Sequence, residues 1–334
     1  MQNRYKVAIV GSTGLVGRTV LKVLEEKDFK NCTYTLFSSK KSAGTKVKFL
    51  GQNYIIQELT EKSFETRFDY AIFCAGGIVS KKFAPIAVST GCVVIDNSSV
   101  FRMNPNVPLI VPEVNPEKIK ENKGIIANPN CSTIQSVIPL KPLDDKYKIR
   151  RIVYSTYQAV SGAGKAGIED LENGIKGIPP KKFDYSIYNN CLPHIDDFLQ
   201  DGYTKEEYKM INETRKILNR PNLPITATAV RVPVFNCHSE SINIEFEYNF
   251  DVYDIKMLLQ NSPGITLVDD IEKKYYPIAT KADGTDDVYV GRVRRDFSVR
   301  NGINLWVVSD NLRKGAASNA VQILEKLIFY YEKY

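Results

Sequence analysis

A glycine-rich turn near the start of the chain restricts the fold more than any other feature. The apolar run Lys6–Val10 has the character of a buried strand, and Gly14–Glu26 has the apolar spacing of a helix. Between them the glycines follow a GxxGxxG pattern, which lets a backbone approach a pyrophosphate at a helix N-terminus. The pattern predicts a dinucleotide site, and the alternative is a purely structural turn. The predicted contacts are Gly11, Ser12, Thr13, Gly14, Leu15, Val16 and Gly17.

Strand and helix patterns alternate through the first 130 residues. The predicted strands are Lys6–Val10, Thr33–Phe37, Tyr54–Glu58, Tyr70–Cys74, Cys92–Asp96, Leu109–Val111 and Gly124–Ala127, and the predicted helices include Gly14–Glu26 and Lys81–Thr90. Several of these strands are apolar throughout, as expected where both faces of a sheet are covered. We therefore predict an α/β fold with a doubly wound, mostly parallel sheet of the Rossmann type.

The pattern changes after residue 131. Arg151–Val160 and Thr226–Val234 are typical of longer strands, and Ser241–Phe250 alternates as a half-buried antiparallel strand does, with Tyr248 on its apolar face. This predicts a second, α+β domain over 131–313 for substrate binding and dimerisation, with an open sheet face against another subunit. The first domain comprises 1–130 plus 314–334, where Lys314–Lys333 has the pattern of an amphipathic helix.

Charge and cysteine usage exclude several classes of protein. The formal net charge is +7, but the 45 basic and 38 acidic residues are interspersed and accompany no nucleic-acid motif. A mildly basic chain suits an anionic cofactor and substrate. No apolar run has the length of a membrane span, and the six cysteines form no CxxC pair. We expect a cytoplasmic protein with free thiols, no metal site, and neither a nucleic-acid nor a membrane partner.

The end of the second predicted strand indicates which dinucleotide binds. An NAD site usually carries an acidic residue there, which binds the ribose 2′-hydroxyl. This chain instead has Ser38-Ser39-Lys40-Lys41-Ser42. Because hydroxyl and ammonium groups suit a 2′-phosphate, Ser39, Lys41 and Ser42 predict NADP, and the alternative is an exposed basic loop.

A cysteine lies where a strand passes into a helix. Cys131 follows the apolar stretch Gly124–Ala127 and stands at the predicted first turn of a helix. Unpaired N–H groups and the positive helix end lower a thiol pKa and favour the nucleophilic thiolate. The sequence holds two histidines, His194 and His238, and His238 is the better partner because it lies just beyond a predicted strand. The alternative for His238 is a loop histidine that binds only backbone.

Further polar residues follow predicted strands, where open α/β sheets bind ligands. Arg102 follows one strand, and Gln158 and the Ser161-Gly162-Ala163-Gly164 turn follow another. Taken singly, each is more typical of a surface or a turn than of a site.

The motifs together resemble the aspartate-semialdehyde dehydrogenases nearly end to end. The matching segments are GSTGLVG, SSKKSAG, NPNCST, YQAVSGAGKAG, EEYK, RVPVFNCHSE and DNLRKGAA. The resemblance implies NADPH-dependent reduction of β-aspartyl phosphate to aspartate semialdehyde with release of phosphate, in lysine, threonine and methionine biosynthesis. It also implies a homodimer or homotetramer joined through the second domain.

The resemblance also assigns roles to individual residues. Cys131 is implied to be the acylated nucleophile, His238 its acid/base, and Gln158 the residue that orients the thioester. Arg231 is implied to bind the substrate α-carboxylate, and Glu206 is implied to bind its α-ammonium group. The implied phosphate ligands are Arg102, Asn130 and Lys209, and further cofactor contacts are Ser161, Gly162, Ala163, Gly164 and Asn311.

Related chemistries remain open alternatives. Another thiol-dependent reductase of this architecture would act on N-acetyl-glutamyl phosphate, glyceraldehyde phosphate or malonyl-coenzyme A. Glu206 discriminates among these substrates, because an acylated amine needs no carboxylate partner. From a different class, the chain could be a non-catalytic NADP-binding redox sensor that uses Cys131.

Overall fold

The computed structural model describes residues 5–29 and 31–333, so residues 1–4, 30 and 334 of the predicted first domain lie outside the described residues. The strands are β1 Tyr5–Val10, β2 Cys32–Ser38, β3 Lys46–Phe49, β4 Gln52–Ile55, β5 Gln57–Glu58, β6 Tyr70–Phe73, β7 Val93–Asp96, β8 Ile125–Ala127, β9 Ile149–Gln158, β10 Ile225–Arg231, β11 His238–Phe246, β12 Ile265–Leu267, β13 Val288–Asp296 and β14 Gly302–Ser309. The α-helices are α1 Leu15–Glu26, α2 Gly77–Ser89, α3 Cys131–Tyr147, α4 Lys165–Ile175, α5 Lys205–Ile217, α6 Val252–Gln260, α7 Ala279–Ala282 and α8 Ser318–Lys333.

The chain divides into two compact units, Met1–Pro129 with Ala316–Tyr334, and Asn130–Gly315. The first unit contains a six-stranded sheet in the order β5-β2-β1-β6-β7-β8, in which every pairing is parallel. Because the strand order reverses at β1, helices cover both faces. The predicted Rossmann-type parallel sheet is confirmed.

The central strand β1 shows why its sequence is apolar throughout. Val7 and Ile9 enter a core with residues of α1 and α8, whereas Ala8 and Val10 enter a second core with residues of α2. Successive side chains of a strand point to opposite faces, so a strand between two helical layers needs apolar residues at every position.

Three predicted boundaries in this unit are wrong. The segment Leu109–Val111 forms only one isolated bridge, from Leu109 to Ala127. Proline stands on each side of it, at 108 and 112, and cannot donate a ladder hydrogen bond. The predicted strand Tyr54–Glu58 is divided between β4 and β5, and the helix predicted from Lys81 begins at Gly77.

The second unit contains a mixed six-stranded sheet in the order β10-β9-β11-β14-β13-β12. The central strand β11 is antiparallel to both β9 and β14, while β10 is parallel to β9. Helix α3 packs against β9, β11 and β14. On the other face, a cavity of about 430 Å³ is lined in part by Ser241, Arg294 and Trp306.

The predicted strand Ser241–Phe250 is shifted. The strand begins at His238, and its register against β9 shifts between Glu245 and Phe246, where it ends. Phe246 is buried at 1% exposure, but Tyr248 is 52% exposed rather than on the apolar face. The alternating pattern therefore persists beyond the hydrogen-bonded strand.

None of the helices formed by the described residues has both the length and the apolar composition that a membrane crossing requires.

The end of β11 gives a test of this register. Phe246→Ala should lower the free energy of unfolding by about 3–5 kcal/mol, the usual cost of removing a buried aromatic ring. Tyr248→Ala, two residues along the same alternating pattern, should change it by less than about 0.5 kcal/mol. Urea unfolding followed by circular dichroism measures both. Equal losses of free energy would indicate that the strand continues through Tyr248 as predicted.

Candidate active site

The glycine turn packs so closely against neighbouring backbone that two of its positions have no room for a side chain. Gly11 has φ +84°, and a Cβ added there would lie 2.7 Å from the carbonyl carbon of Cys74. A Cβ at Gly17 would lie 2.2 Å from the Gly11 carbonyl oxygen. The N-cap of α1 is Gly14, which supplies no side-chain cap to the first-turn N–H groups. These first-turn N–H groups at a helix start fit a pyrophosphate.

The basic segment lies directly beside this turn. Thr13 of the glycine turn forms a 2.7 Å hydroxyl–hydroxyl hydrogen bond with Ser38, the last residue of β2. The chain then turns, with the Ser42 N–H donating to the Ser39 carbonyl at 2.9 Å. Ser39 and Lys41 are exposed and Ser42 is half-buried. The hydroxyl and ammonium groups therefore sit at the carboxyl edge of β2, where a ribose 2′ substituent binds in this class of sheet.

Arg102 also belongs to the first unit and is held at the carboxyl edge of its sheet. Its Nε donates to the Asn128 carbonyl and its terminal nitrogen to the Asn97 carbonyl, both at 2.9 Å. The side chain is 7% exposed. The structure places Arg102 in a different unit from the other two predicted phosphate ligands, Asn130 and Lys209.

Cys131 is the first residue of helix α3, as its sequence context predicts. The N-cap Asn130 accepts from the N–H groups of Ser132 and Thr133 through Oδ1, at 3.0 and 3.3 Å. A Cβ added to Gly315 would lie 2.8 Å from the Cβ of Cys131, so backbone passes close to the half-buried thiol. The positive end of α3 favours the thiolate at this position.

Two carboxylates of α5 hold the residue before the cysteine. Glu206 accepts from Asn130 Nδ2 at 2.9 Å, and Glu213 accepts from the Asn130 backbone N–H at 2.6 Å. The two glutamates are seven residues apart, so they lie two turns apart on one face of the helix. Sequence analysis missed Glu213, although its spacing from Glu206 could have revealed it.

Glu206 is the centre of a buried polar cluster. Besides Asn130, it accepts from Gln158 Nε2 and from Lys209 Nζ, each at 3.0 Å. Burial alone would raise the pKa of Glu206, but Lys209, Gln158 and Asn130 together lower it to about 2. Burial lowers the pKa of Lys209, whereas Glu206 and Asp196 raise it to above its usual value. The buried carboxylate is therefore ionised and suited to a cationic ligand.

His238 is fully buried at the start of β11. Its Nδ1 accepts from the Ala159 N–H at 3.0 Å, and its Nε2 has no hydrogen-bond partner within the described part of the chain. Burial, together with the charge of Arg231, lowers its pKa to about 3. Because Nδ1 is an acceptor, the neutral ring carries its proton on Nε2. In this tautomer His238 presents a hydrogen-bond donor at Nε2 rather than a base.

Arg231 ends strand β10 close to this imidazole. Its terminal nitrogen donates to the Ala159 carbonyl at 2.7 Å. A Cβ added to Gly162 would lie 2.8 Å from that nitrogen and 3.2 Å from His238 Nε2. Burial lowers the pKa of Arg231, and the negative charges of Glu206 and Cys131 oppose this effect. The structure thus brings Cys131, Glu206, Arg231 and His238 into one electrostatic cluster.

The predicted cofactor turn of the second unit packs beside His238. Residues Val160–Ala163 form a short 3₁₀ turn after β9, and Gly164, at φ +78°, caps helix α4. Asn311 donates to the Ser161 hydroxyl at 3.0 Å and accepts from the Cys237 N–H at 2.9 Å. Asn311 therefore connects this turn to the residue before His238.

Cys237, Asp283 and Asp310 bring possible metal ligands within 4.8 Å of one another, a grouping that their sequence spacing did not reveal. Both Asp310 oxygens already accept backbone N–H groups, from Gly284 on one side and from Leu312 and Arg313 on the other. Burial raises the pKa of the Cys237 thiol, and the Asp310 oxygens are already engaged, so we assign no metal to this grouping.

Comparison with known proteins gives the class of dehydrogenase. Residues 6–122 match the family described as semialdehyde dehydrogenase, NAD binding domain, and residues 140–314 match semialdehyde dehydrogenase, dimerisation domain. The fold and the thiol-centred cluster therefore define a semialdehyde dehydrogenase. An aspartate-semialdehyde dehydrogenase of Aquifex aeolicus is 51% identical over 97% of this chain and 98% of its own length. The chain belongs to the aspartate-semialdehyde dehydrogenase family, as its motifs predicted.

Solved structures agree with this assignment. Aspartate semialdehyde dehydrogenase II from Vibrio cholerae, complexed with ASA, is 46% identical with a TM-score of 0.94, covering 99% of each chain. Aspartate semialdehyde dehydrogenase with NADP from Candida albicans is 26% identical with a TM-score of 0.77, covering 97% of this chain and 98% of its own.

The neutral state of His238 predicts how stability depends on pH. Between about pH 6.5 and 3 the unfolded chain binds a proton at this ring that the folded protein does not. The contribution of His238 to the free energy of unfolding should therefore fall as the pH decreases below 6.5, by up to about 1.4 kcal/mol per pH unit, whereas the raised pKa of Glu240 contributes with the opposite sign.

Urea unfolding between pH 7 and 5 measures this dependence. His238→Gln should lose the contribution of this ring, so the free energy of unfolding of the wild type relative to the variant should fall as the pH decreases. A difference between the two proteins that does not change with pH would contradict a neutral, buried His238.

Proposed function

We propose that this chain catalyses NADPH-dependent reduction of β-aspartyl phosphate to aspartate semialdehyde, with release of phosphate, in lysine, threonine and methionine biosynthesis. The observation that carries this proposal is the ionised Glu206 carboxylate, buried at the centre of the thiol cluster. A buried carboxylate suits a substrate with a free α-ammonium group. The relative from Vibrio cholerae, complexed with ASA, supports the same substrate class.

Cys131 attacks the acyl carbon of the substrate as the thiolate. A sulfur–carbon bond forms, the bond from carbon to the phosphate oxygen breaks, and phosphate leaves with the electron pair. When bound, NADPH supplies the hydride that reduces the resulting thioester. Collapse of the reduced adduct releases the aldehyde and returns the thiolate. The helix end beneath Cys131 and the nearby Arg231 charge stabilise the negative charge on sulfur.

His238 and Gln158 act on the reacting carbonyl group. The Nε2–H of His238 donates to the carbonyl oxygen as negative charge develops on it. A base role would require the proton to move to Nδ1, where it would face the Ala159 N–H. Gln158 is fixed by donating to both Glu206 and Ser132, which supports its role in orienting the thioester.

The remaining residues hold the ends of the substrate. Arg231 binds the α-carboxylate, and Glu206 binds the α-ammonium group. Arg102, Asn130 and Lys209 bind phosphate. Asn130 already donates one amide hydrogen to Glu206, so one remains for a phosphate oxygen.

The glycine turn would hold the pyrophosphate of NADP. Its residues are Gly11, Ser12, Thr13, Gly14, Leu15, Val16 and Gly17, with Ser39, Lys41 and Ser42 at the 2′-phosphate and Ser161, Gly162, Ala163, Gly164 and Asn311 as further contacts. The start of α1 has no side-chain cap, which supports this assignment because its N–H groups can bind such an anion. The relative from Candida albicans, solved with NADP, supports this choice.

We also propose a cytoplasmic homodimer or homotetramer. The match to a dimerisation domain and the cavity on one face of the second sheet support association through that face. Six free cysteines suit a reducing compartment.

Covalent catalysis can be detected by mass spectrometry. Enzyme mixed with β-aspartyl phosphate and no NADPH should gain one aspartyl group on the peptide that contains Cys131. Cys131→Ala should abolish turnover of aspartate semialdehyde, NADP and phosphate while NADPH binding persists. Cys191→Ala, at an exposed thiol, is the matched control with wild-type turnover. Turnover by Cys131→Ala, or labelling at another cysteine, would refute the mechanism.

Cofactor preference tests the basic segment. Because no acidic residue stands at the ribose position, kcat/KM should be higher with NADP than with NAD. Lys41→Ala should reduce kcat/KM with NADP about tenfold, the scale of a hydrogen bond to a charged group, and leave NAD almost unchanged. Lys40→Ala, at the adjacent exposed lysine, is the control. Equal use of NAD and NADP by the wild-type enzyme would overturn the assignment of Ser39, Lys41 and Ser42.

A further inference from the structure

A group of buried polar side chains lies on the covered face of the second sheet, beneath the imidazole. Strand β11 alternates between its faces, so His238 and Glu240 point to the same, fully buried side. Thr156 of β9 stands directly opposite Glu240 in the pairing register and is also fully buried. The mechanism proposed above uses neither Glu240 nor Thr156.

Gln135 connects the two elements that carry the reacting side chains. It lies four residues after Cys131 on α3, one helical turn below the thiol, and is completely buried. Its Nε2 donates to the backbone carbonyl of His238 at 3.3 Å. This is a direct side-chain link between the helix that begins at the nucleophile and the strand that begins at the imidazole.

Glu240 is placed to orient Gln135. Burial raises the pKa of Glu240 well above its ordinary value, and the neighbouring Gln135 amide opposes this only in part. Among the described residues, neither Glu240 oxygen meets a hydrogen-bond donor in bonding geometry, and Gln135 Oε1 also has no partner. A protonated carboxyl group can donate to an amide oxygen. One hydrogen bond from the Glu240 acid to Gln135 Oε1 would therefore give both groups a partner.

We propose that Gln135 is a positioning residue, oriented by the carboxylic acid of Glu240, that holds the His238 backbone in place relative to the helix carrying Cys131. The acid O–H donates to Gln135 Oε1, and this fixes the amide with Nε2 toward the His238 carbonyl. Neither residue touches substrate. The kinetic consequence rests on the proposed function, whereas the geometry of His238 does not.

Kinetics of four variants test the proposal. Glu240→Leu and Gln135→Leu break the link, and each should lower kcat about tenfold, the scale of one hydrogen bond, with KM unchanged. Glu240→Gln keeps a donor for Gln135 Oε1 and should retain kcat within about threefold. Thr156→Val removes the neighbouring orphan hydroxyl and should behave as wild type.

Nuclear magnetic resonance gives a readout that does not depend on turnover. The chain has only two histidines, so ¹⁵N-histidine labelling gives two sets of ring signals, and His194→Gln assigns them. Glu240→Leu and Gln135→Leu should shift or broaden the His238 signals, while Glu240→Gln and Thr156→Val should leave them in place. Each leucine variant leaves a buried partner without its hydrogen bond and should lower the melting temperature by several degrees, so all variants are compared at a temperature where each is fully folded.

The results separate this inference from the proposed function. Unperturbed His238 signals in Gln135→Leu would overturn the positioning role even in an active enzyme. Loss of activity in Glu240→Gln, or in Thr156→Val alone, would also overturn it, because the acid would then act through another partner. A wild-type protein without turnover would refute the proposed function and leave the His238 signals as the test.

Discussion

The arrangement of the site depends on how α5 holds Asn130. The backbone N–H of this residue donates to Glu213 and its side chain to Glu206, while its own Oδ1 caps α3. These hydrogen bonds hold Asn130 in place and, with it, the start of α3 and Cys131. A helix N-terminus can favour a thiolate only if the thiol stays within its first turn. The carboxylates of α5 maintain that condition.

Burial of the ionised Glu206 carboxylate costs free energy, which the surrounding polar groups must offset. An ionised Glu206 at 6% exposure would be strongly unfavourable without partners. Lys209, Gln158 and Asn130 supply these partners, and Lys209 is itself balanced by Asp196. Replacing a single member leaves the others buried and unpaired, so such substitutions should affect folding as well as substrate binding. Activity alone therefore cannot assign a role to Glu206.

Local features of the sequence predicted most of the fold. The apolar run at β1, the glycine spacing and the cysteine at a helix start each depend on a few adjacent residues. The limits of Leu109–Val111 and Ser241–Phe250 were predicted wrongly, because flanking prolines and a shift in register end the pairing while the apolar pattern continues. Contacts across long separations, such as the Ala159 N–H with His238, carry no signal in one sequence.

The electrostatics of the cluster also decide where positive charge is tolerated. Protonating His238 would place a second cation beside Arg231, whose charge already lowers the pKa of the ring. It would also set two N–H groups face to face at Nδ1 and Ala159. In the proposed mechanism a thiolate at Cys131 is therefore stabilised by the end of α3 and by Arg231, without an imidazolium partner. His238 remains neutral, and its Nε2–H, which has no hydrogen-bond partner among the described residues, is the donor that the proposed mechanism directs at the developing oxyanion.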